Sequence, residues 1–369
     1  MVLGLSKETT CDYVVLCADG PQNDPGAYRR EILEFTGGPK LGAVSFEFVS
    51  QAPLWKGLGL LNSKVRKSSV GLPLLYYAIY KKWLRRAHAR AKNLVENNQV
   101  IAIHLLTQIT VRHPGEFYNL GVPFVWGPTG GTARLPASFV VSLHGALFVQ
   151  ECIRYLLHWV FTDAKKIKRV ASKAKAIFVF SRQDQQFFEE AGLTSKFLPD
   201  AGCSVAPGAV VPHEYKGGDT LRLLWVGQLI GRKCPDLVLR ALSSLEPRYR
   251  SRVELTIVGS GPMERICKEL AESLGLTDIV EIVGSVSSAR VTQYYQQSHL
   301  MVHTSYREAC THVIPEAMST GLPVVAHRCC GMAELLKDCG FLINLSSYSE
   351  SVKGFASVIT NIIDQPDLI

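Results

Sequence analysis

The sequence lacks any apolar run long enough to cross a bilayer. Its most apolar window, residues 139–161, carries Glu151, Arg154 and two histidines, which predicts a partly buried helix rather than a membrane span. The first ten residues have neither the basic start nor the apolar stretch of a signal peptide. These absences predict a cytoplasmic protein.

Metal and disulfide patterns are also missing. The ten cysteines include no Cys-x-x-Cys pair and no metal-ligand spacing, so neither a metal module nor a small secreted disulfide scaffold is indicated. We interpret the vicinal pair Cys329 and Cys330 as two small buried apolar residues, which is typical of a reducing compartment.

The length of the chain predicts two domains. At 369 residues it is too long for one ordinary hydrophobic core, and its 47% hydrophobic and 20% charged residues suit two folded domains. Residues 199–220 are rich in Pro and Gly and lack periodicity, which marks a boundary. We therefore predict an N-terminal domain over 1–205 and a C-terminal domain over 206–369.

Short runs rich in Val, Ile and Leu alternate with helix-length segments along the chain. This alternation is typical of parallel sheets flanked by helices, with ligands at the carboxyl ends of the strands. It predicts two doubly wound α/β domains that face each other across a cleft. The predicted strands are 13–18, 100–105, 122–127 and 176–181 in the first half, and 221–227, 253–259, 299–305 and 322–327 in the second.

The net charge of +8 belongs to the first half. Residues 1–205 hold 25 Lys and Arg against 15 Asp and Glu, whereas residues 206–369 hold 15 against 17. Segment 64–92 has nine Lys or Arg and no acid. It is either a solvated basic helix or an interfacial helix that contacts the anionic inner face of a membrane. No recognised nucleic-acid module is present, so we expect no nucleic-acid partner.

The stretch REACTHVIPEAM contains Glu308 and Glu316, eight positions apart. In one continuous helix their carboxylates would lie about 12 Å apart along the axis. Pro315 is tolerated only in a first helical turn, so we predict a loop at Glu308 and a helix that begins near Ile314. Such a helix start favours the binding of an anion. A Glu in the first turn is also common without any ligand, because its charge interacts favourably with the helix dipole.

Two other predicted strands end in glycine. Residues 223–242, LLWVGQLIGRKCPDLVLRAL, place Arg232 and Lys233 between a strand and a helix, and residues 257–263, IVGSGPM, form a Gly-rich turn. Glycine allows a ligand to approach the backbone closely. Cations, glycines and carboxylates at successive strand ends suit a ligand with phosphate and neighbouring hydroxyl groups, such as a nucleotide sugar.

These stretches resemble the C-terminal domain of glycosyltransferase family four, a large group of retaining, nucleotide-sugar-dependent enzymes with the GT-B fold. The matching segments VGQLIGRK, VGSGP, YREACTHVIPEAMSTGLPVVA and GMAELL fall within residues 221–345. Residues 117–131, FYNLGVPFVWGPTGG, are similar to a subgroup with a Gly-Pro-x-Gly-Gly loop in the N-terminal domain. The resemblance implies a GT-B fold of two Rossmann-like domains.

The resemblance also implies roles for individual residues. Glu316 would bind the donor ribose, and Glu308 would bind the transferred sugar. Lys233, with Arg232 as a second cation, would neutralise the diphosphate leaving group. The other implied donor-side residues are Gly227, Gln228, Gly259, Gly261, Ala309, Cys310, Thr311 and His312. The implied acceptor-side residues are Gly127, Gly130, Gly131 and, unless it is a packed core histidine, His104.

The chain departs from the family pattern at several positions. Gln228 stands where many relatives have Arg, and Ala309, Cys310 and Thr311 replace Gly-Phe-Gly, which predicts weaker contact with the donor phosphates. We also expect that an N-terminal strand–helix unit and a C-terminal crossover helix of the relatives have no counterpart here. A fragment, a divergent member and a remnant all fit these departures.

The function implied is transfer of a sugar from a nucleotide-sugar donor, a UDP- or GDP-sugar, to a hydroxyl group. The acceptor would be a polysaccharide, a lipid-linked glycan or a small molecule. The resemblance implies retention of configuration with no cofactor and no metal, in agreement with the lack of an Asp-x-Asp motif. One alternative is a donor-binding partner subunit with weak catalysis. A GT-B epimerase or phosphorylase fits the Glu-x7-Glu setting less well.

Overall fold

The structure is a computed structural model of the chain. It describes residues 11–19, 26–67, 73–97, 100–106, 111–132, 134–143, 145, 148–149, 151–153, 155–156, 164–198, 210, 214–308 and 311–369. These residues form two compact units. The described residues of the first unit fall within 1–105, 112–125 and 169–175, and those of the second fall within 106–111, 126–168 and 176–369. Most of the predicted boundary segment 199–220 lies outside the described residues, so the division at 205 stays a prediction.

The first unit is built on a three-stranded sheet of order β1-β3-β2. Strand β1 is parallel to β3, and β2 is antiparallel to it. The sequence around Val44 alternates apolar and polar residues, which is typical of a strand, although β3 was not among the predicted strands. The elements are β1 (Tyr13–Ala18), α1 (Ala27–Thr36), β2 (Lys40–Leu41), β3 (Val44–Val49), α2 (Pro53–Lys67), α3 (Pro73–Asn97) and β4 (Ile103–Leu105).

Helix α3 carries most of the basic segment 64–92. Its apolar side chains pack inside the first unit, where the indole N–H of Trp83 donates to the Val49 carbonyl at 2.8 Å. The exposed positions of the same helix are Lys81, Lys82, Arg85 and Arg86. The buried aromatic and aliphatic residues of this segment are therefore unavailable for insertion into a lipid surface, and a membrane contact through this face would rest on charge.

No helix within the described part of the chain combines the length and the apolar character that a bilayer crossing requires.

A second sheet has the order β4-β5-β6-β7. The predicted strands at 100–105, 122–127 and 176–181 all exist in it, with shifted ends. Ser181 caps the helix that follows β6, because its hydroxyl accepts from the backbone N–H of Asp184. The elements are β5 (Phe124–Thr129), α4 (Ala137–Val141), α5 (Ala164–Lys173), β6 (Ala176–Val179), α6 (Arg182–Glu190) and β7 (Lys196–Phe197).

The third sheet, in the second unit, has six parallel strands in the order β10-β9-β8-β11-β12-β13. The four strands predicted in this half are present, whereas β10 and β13 were not predicted. The strands are β8 (Leu221–Val226), β9 (Val253–Val258), β10 (Val280–Gly284), β11 (Leu300–His303), β12 (Val324–His327) and β13 (Phe341–Ile343).

Helices cover both faces of this sheet. Along β8, Leu223 and Trp225 belong to one buried core and Leu224 and Val226 to another, as alternating side chains require. The chain order doubles back between β8 and β11, which makes this point the expected ligand crevice of a doubly wound sheet. The helices are α7 (Pro235–Ser243), α8 (Pro247–Arg250), α9 (Glu264–Ser273), α10 (Ser288–Gln297), α11 (Val313–Ser319), α12 (Cys330–Leu335) and α13 (Tyr348–Asp364).

Candidate active site

The loops that follow β8 and β11 are bonded to each other at the switch point. Thr304, just after β11, accepts a hydrogen bond from the Trp225 indole at 2.9 Å. Its hydroxyl also lies 2.8 Å from the carbonyl oxygens of Lys233 and Cys234. The backbone N–H of Tyr306 donates to the Arg232 carbonyl at 3.2 Å. The two loops therefore have a fixed relative position.

This junction brings together the carboxylate and the two cations predicted from sequence. Arg232 Nη1 lies 2.6 Å from Glu308 Oε2, and Lys233 Nζ lies 2.7 Å from Oε1. Ser305 Oγ donates to Oε1 at 3.0 Å. Glu308 is only 8% exposed, and Lys233 is buried with it. Two cations and one carboxylate leave one positive charge in excess at the end of the sheet.

The surroundings keep Glu308 ionised. Burial raises the pKa of its carboxyl, but Lys233 and Arg232 outweigh that effect, and the pKa lies below its usual range. His303, with Nε2 4.0 Å from Glu308 Oε1, has its pKa lowered to about 3, first by burial and then by Lys233. The imidazole is therefore neutral at physiological pH, and within the described part of the chain the charge of the carboxylate is balanced by Arg232 and Lys233.

The glycine-ended strands meet beside these cations. Gly259 has φ 136°, and a side chain there would overlap the carbonyl oxygen of Gly227. A side chain on Gly261 would overlap the Leu229 carbonyl in the same way. Only glycine permits the strand tips to pack this closely. Gln228, which stands where many relatives have Arg, is exposed.

Glu316 lies in the first turn of α11, as predicted from Pro315. Its Oε2 accepts a hydrogen bond from the Tyr295 hydroxyl at 3.0 Å, and burial together with this carboxylate raises the pKa of Tyr295. Glu308 lies in the loop after β11, so the predicted placement of both glutamates is confirmed.

Between the two glutamates, Thr311 is buried and His312 is exposed at the start of α11. Ala309 and Cys310 lie outside the described residues.

The Gly-Pro-x-Gly-Gly loop is fixed by a carboxylate that was not predicted from the sequence. Asp184, 1% exposed, accepts from the N–H of Thr132 at 3.0 Å and from its hydroxyl at 2.6 Å. The N–H of Gly131 and the hydroxyl of Ser181 also bond to it. Side chains on Gly127 or Gly130 would overlap Phe178 or Phe180, respectively.

A recognisable signal for Asp184 was present in the sequence. Ser181 and Asp184 form the Ser-x-x-Asp pattern that caps a helix. That pattern accounts for Ser181, but the contact with Thr132 joins segments 52 positions apart and has no local signature.

One family model matches the segment that holds the glutamates. Residues 213–368 match the family described as Glycosyl transferases group 1. Within this segment lie the cations, the paired glutamates and the glycine-ended strands described above. The Gly-Pro-x-Gly-Gly loop precedes it.

One sequence relative and two solved structures are similar to this chain. A D-inositol 3-phosphate glycosyltransferase of Thermobifida fusca is 33% identical over 158 residues, which cover 40% of this chain and 36% of the relative. The chain therefore matches only about a third of that relative's length. The lipopolysaccharide outer core galactosyltransferase WaaB has a TM-score of 0.59 at 14% identity, over 95% of this chain and 91% of WaaB. Anabaena HepE, in complex with UDP and glucose, has a TM-score of 0.53 at 17% identity, over 96% and 91%.

These likenesses show the fold. The chain has the GT-B fold with two Rossmann-like α/β domains, and the prediction of its fold class is confirmed.

A second buried ion pair borders the glutamate loop. Glu151, 1% exposed, lies with Oε2 2.6 Å from Arg307 Nη2, and the Tyr306 hydroxyl lies 3.3 Å from its Oε1. Tyr306 and Arg307 immediately precede Glu308 in the chain. The loop is therefore held from one side by Glu151 and from the other by Arg232, which donates to the Arg307 carbonyl at 3.0 Å.

His104 lies in β4 of the first unit and is exposed, so it is not a packed core histidine. Its role at the acceptor stays a prediction.

Among the residues that the structure describes, no three His, Cys, Asp or Glu side chains are grouped so that they could hold a metal ion.

Proposed function

We propose that this protein is a retaining glycosyltransferase that moves a sugar from a nucleotide-sugar donor to a hydroxyl acceptor. The observation that carries the proposal is the group formed by Arg232, Lys233 and Glu308 at the switch point of the six-stranded sheet. An excess positive charge suits a diphosphate, and Glu316 in the next helix turn suits sugar or ribose hydroxyls. The match of residues 213–368 to Glycosyl transferases group 1 supports the same assignment.

The proposed reaction needs no nucleophile from the protein. The acceptor oxygen forms a bond to the anomeric carbon while the bond to the phosphate oxygen breaks and its electron pair stays on the nucleoside diphosphate. The acceptor proton passes to the departing phosphate on the same face of the sugar. Lys233 and Arg232 stabilise the charge that develops on the diphosphate, and Glu308 orients the sugar hydroxyls. In this scheme no metal is required.

The donor nucleotide is proposed from a similar solved structure, and the acceptor class is proposed from the family resemblance. UDP is the preferred nucleotide because the similar structure of HepE is a complex with UDP and glucose. The acceptor class is a polysaccharide, a lipid-linked glycan or a small molecule.

Cytoplasmic location with peripheral membrane contact is also proposed, through the exposed cations of α3. We expect sedimentation with anionic vesicles at low salt, and we expect the Arg85→Glu/Arg86→Glu variant to remain in solution. Equal sedimentation of the variant would exclude α3 as the contact.

Turnover and binding together test the proposed function. We expect one of UDP, GDP or ADP, or its sugars, to raise the midpoint of thermal unfolding, and we expect slow release of that nucleotide from its sugar donor. Glu308→Gln should abolish release, whereas Glu350→Gln, an exposed control on α13, should not change it. Binding without release in the wild type would support the alternative of a donor-binding subunit. Absence of binding to every nucleotide would contradict both functions.

A further inference from the structure

A cavity of about 130 Å³ lies next to the glutamate loop in the second unit. Leu135 and Pro136, just after the Gly-Pro-x-Gly-Gly loop, form part of its lining. Tyr306 and Arg307, just before Glu308, line it as well. One water molecule needs only about 15 Å³ of such a volume, so the cavity accommodates a considerably larger group.

The charged residues that line this cavity all have the same sign. They are Arg134, Arg307 and Arg328, and no Asp or Glu is among the described residues that line it. Arg307 is neutralised by Glu151 at 2.6 Å. No ion pair to Arg134 or Arg328 is found among the described residues. The cavity therefore offers two uncompensated guanidinium groups.

The walls of the cavity are fixed by hydrogen bonds. The Tyr155 hydroxyl donates to the Leu135 carbonyl at 2.7 Å, and Cys329 Sγ lies 3.5 Å from the Tyr306 carbonyl. Leu135 follows Arg134 in the chain and Cys329 follows Arg328, so each arginine is adjacent to a residue held by one of these bonds. Guanidinium groups bind phosphate and carboxylate through paired, charge-assisted hydrogen bonds.

From this arrangement we propose that the cavity binds an anionic group of the acceptor, a phosphate ester, through Arg134 and Arg328. The inference rests on the proposed transferase function and makes it more specific, because it names the chemical class of the acceptor. A phosphate held here would place the acceptor between the Gly-Pro-x-Gly-Gly loop and the loop that carries Glu308.

Calorimetric titration at constant ionic strength tests the proposal with glucose 6-phosphate, glucose and inorganic phosphate as probes. We expect glucose 6-phosphate to bind more tightly than inorganic phosphate and far more tightly than glucose. The double variant Arg134→Gln/Arg328→Gln should weaken its binding by about 100-fold, since each charge-assisted contact contributes roughly a factor of ten. Arg265→Gln/Arg290→Gln removes the same net charge from exposed positions on α9 and α10 and should leave binding unchanged.

Three results would overturn the proposal. The first is equal affinity for glucose 6-phosphate in the wild type and the Arg134→Gln/Arg328→Gln variant. The second is equal affinity of the wild type for glucose and glucose 6-phosphate. The third is equal affinity of the wild type for inorganic phosphate and glucose 6-phosphate. The last result would assign the cavity to free phosphate.

UDP titrated into the same proteins separates the acceptor proposal from the transferase function. If UDP binds through Lys233 and the affinity for glucose 6-phosphate does not depend on the two arginines, only the acceptor site is wrong. If UDP does not bind the wild type, the transferase function is contradicted and the acceptor assignment fails with it.

Discussion

Two buried carboxylates order the two loops of the candidate site, and they are compensated in different ways. Glu308 is balanced by the charged side chains of Arg232 and Lys233. Among the described residues, Asp184 has only neutral donors, which are backbone N–H groups and the hydroxyls of Thr132 and Ser181. The pKa of Glu308 is lowered by its cations in spite of burial, whereas burial raises the pKa of Asp184 above its ordinary value.

We propose that this difference distinguishes a ligand site from a structural support. If the proposed function is correct, the cations that neutralise Glu308 interact with the diphosphate when it binds, and Glu308 then accepts hydrogen bonds from sugar hydroxyls. The donors around Asp184 have no charge to offer an incoming ligand. We therefore expect changes at the Glu308 group to alter ligand binding, and changes at Asp184 to alter folding.

Asp184→Ala should reduce stability more than any other change considered for these loops. It leaves the N–H groups of Gly131 and Thr132 buried without an acceptor, which should lower the free energy of unfolding by about 3 kcal/mol. Denaturant titration measures this change, and UDP titration should show an unchanged dissociation constant. Asp184→Asn keeps one acceptor oxygen and should lose less. A loss of UDP affinity in a still folded Asp184→Ala protein would show that Asp184 is more than a structural support.

A smaller effect is expected for Glu316→Ala. If its carboxylate accepts hydrogen bonds from the donor, UDP affinity should fall by about 10-fold, which is the contribution of one charge-assisted hydrogen bond. Tyr295→Phe is the matched control, because it removes the hydroxyl that donates to Glu316 at 3.0 Å and leaves the carboxylate in place. Unchanged UDP affinity in Glu316→Ala would remove this residue from the site.

The dependence of stability on pH should have opposite signs for the two carboxylates. The folded pKa of Glu308 is lowered, so its contribution to stability is present above its unfolded pKa and is lost as pH falls through the folded value. The stability difference between wild type and Glu308→Gln should therefore shrink below about pH 4.5.

For Asp184 the sign is reversed. Its folded pKa is raised, so the advantage of wild type over Asp184→Asn is greatest at low pH and falls as pH rises from 3.8 through the folded value. His303, whose pKa is lowered to about 3, lies 4.0 Å from Glu308, so its titration contributes to the Glu308→Gln profile but is common to wild type and Asp184→Asn. Parallel pH profiles for the two variants would contradict the distinct environments of these carboxylates.

Local signals predicted well the elements that carry the paired glutamates and the two cations. Strand runs that end in glycine, two consecutive cations and Pro315 before Glu316 are each encoded within a few residues, and the structure has all of them at the expected strand and helix ends. The contact between Glu308 and the cations could only be expected from the resemblance, since 75 or more positions separate these residues.

The surroundings of the Gly-Pro-x-Gly-Gly loop and of Arg307 were harder to predict because their main contacts are not local. Asp184 reaches Thr132 across 52 positions, and Glu151 reaches Arg307 across 156. In the sequence, Glu151 indicated only that the apolar window 139–161 is not a membrane span. Its partner Arg307 could not be predicted, because no residue near Glu151 in the sequence indicates it. For the basic segment 64–92, composition showed the cations but not that Trp83 and its apolar neighbours pack into the first unit.

Whether the cations at the switch point bind the donor diphosphate is decided by calorimetric titration of UDP into the wild type and Lys233→Met. Lys353→Met, an exposed lysine on α13, serves as the matched control for loss of one positive charge. The dissociation constant should rise by about 100-fold in Lys233→Met, the upper range for a charge-assisted contact, and should not change in the control. Equal UDP affinity in all three proteins would contradict the assignment of this group as the donor site.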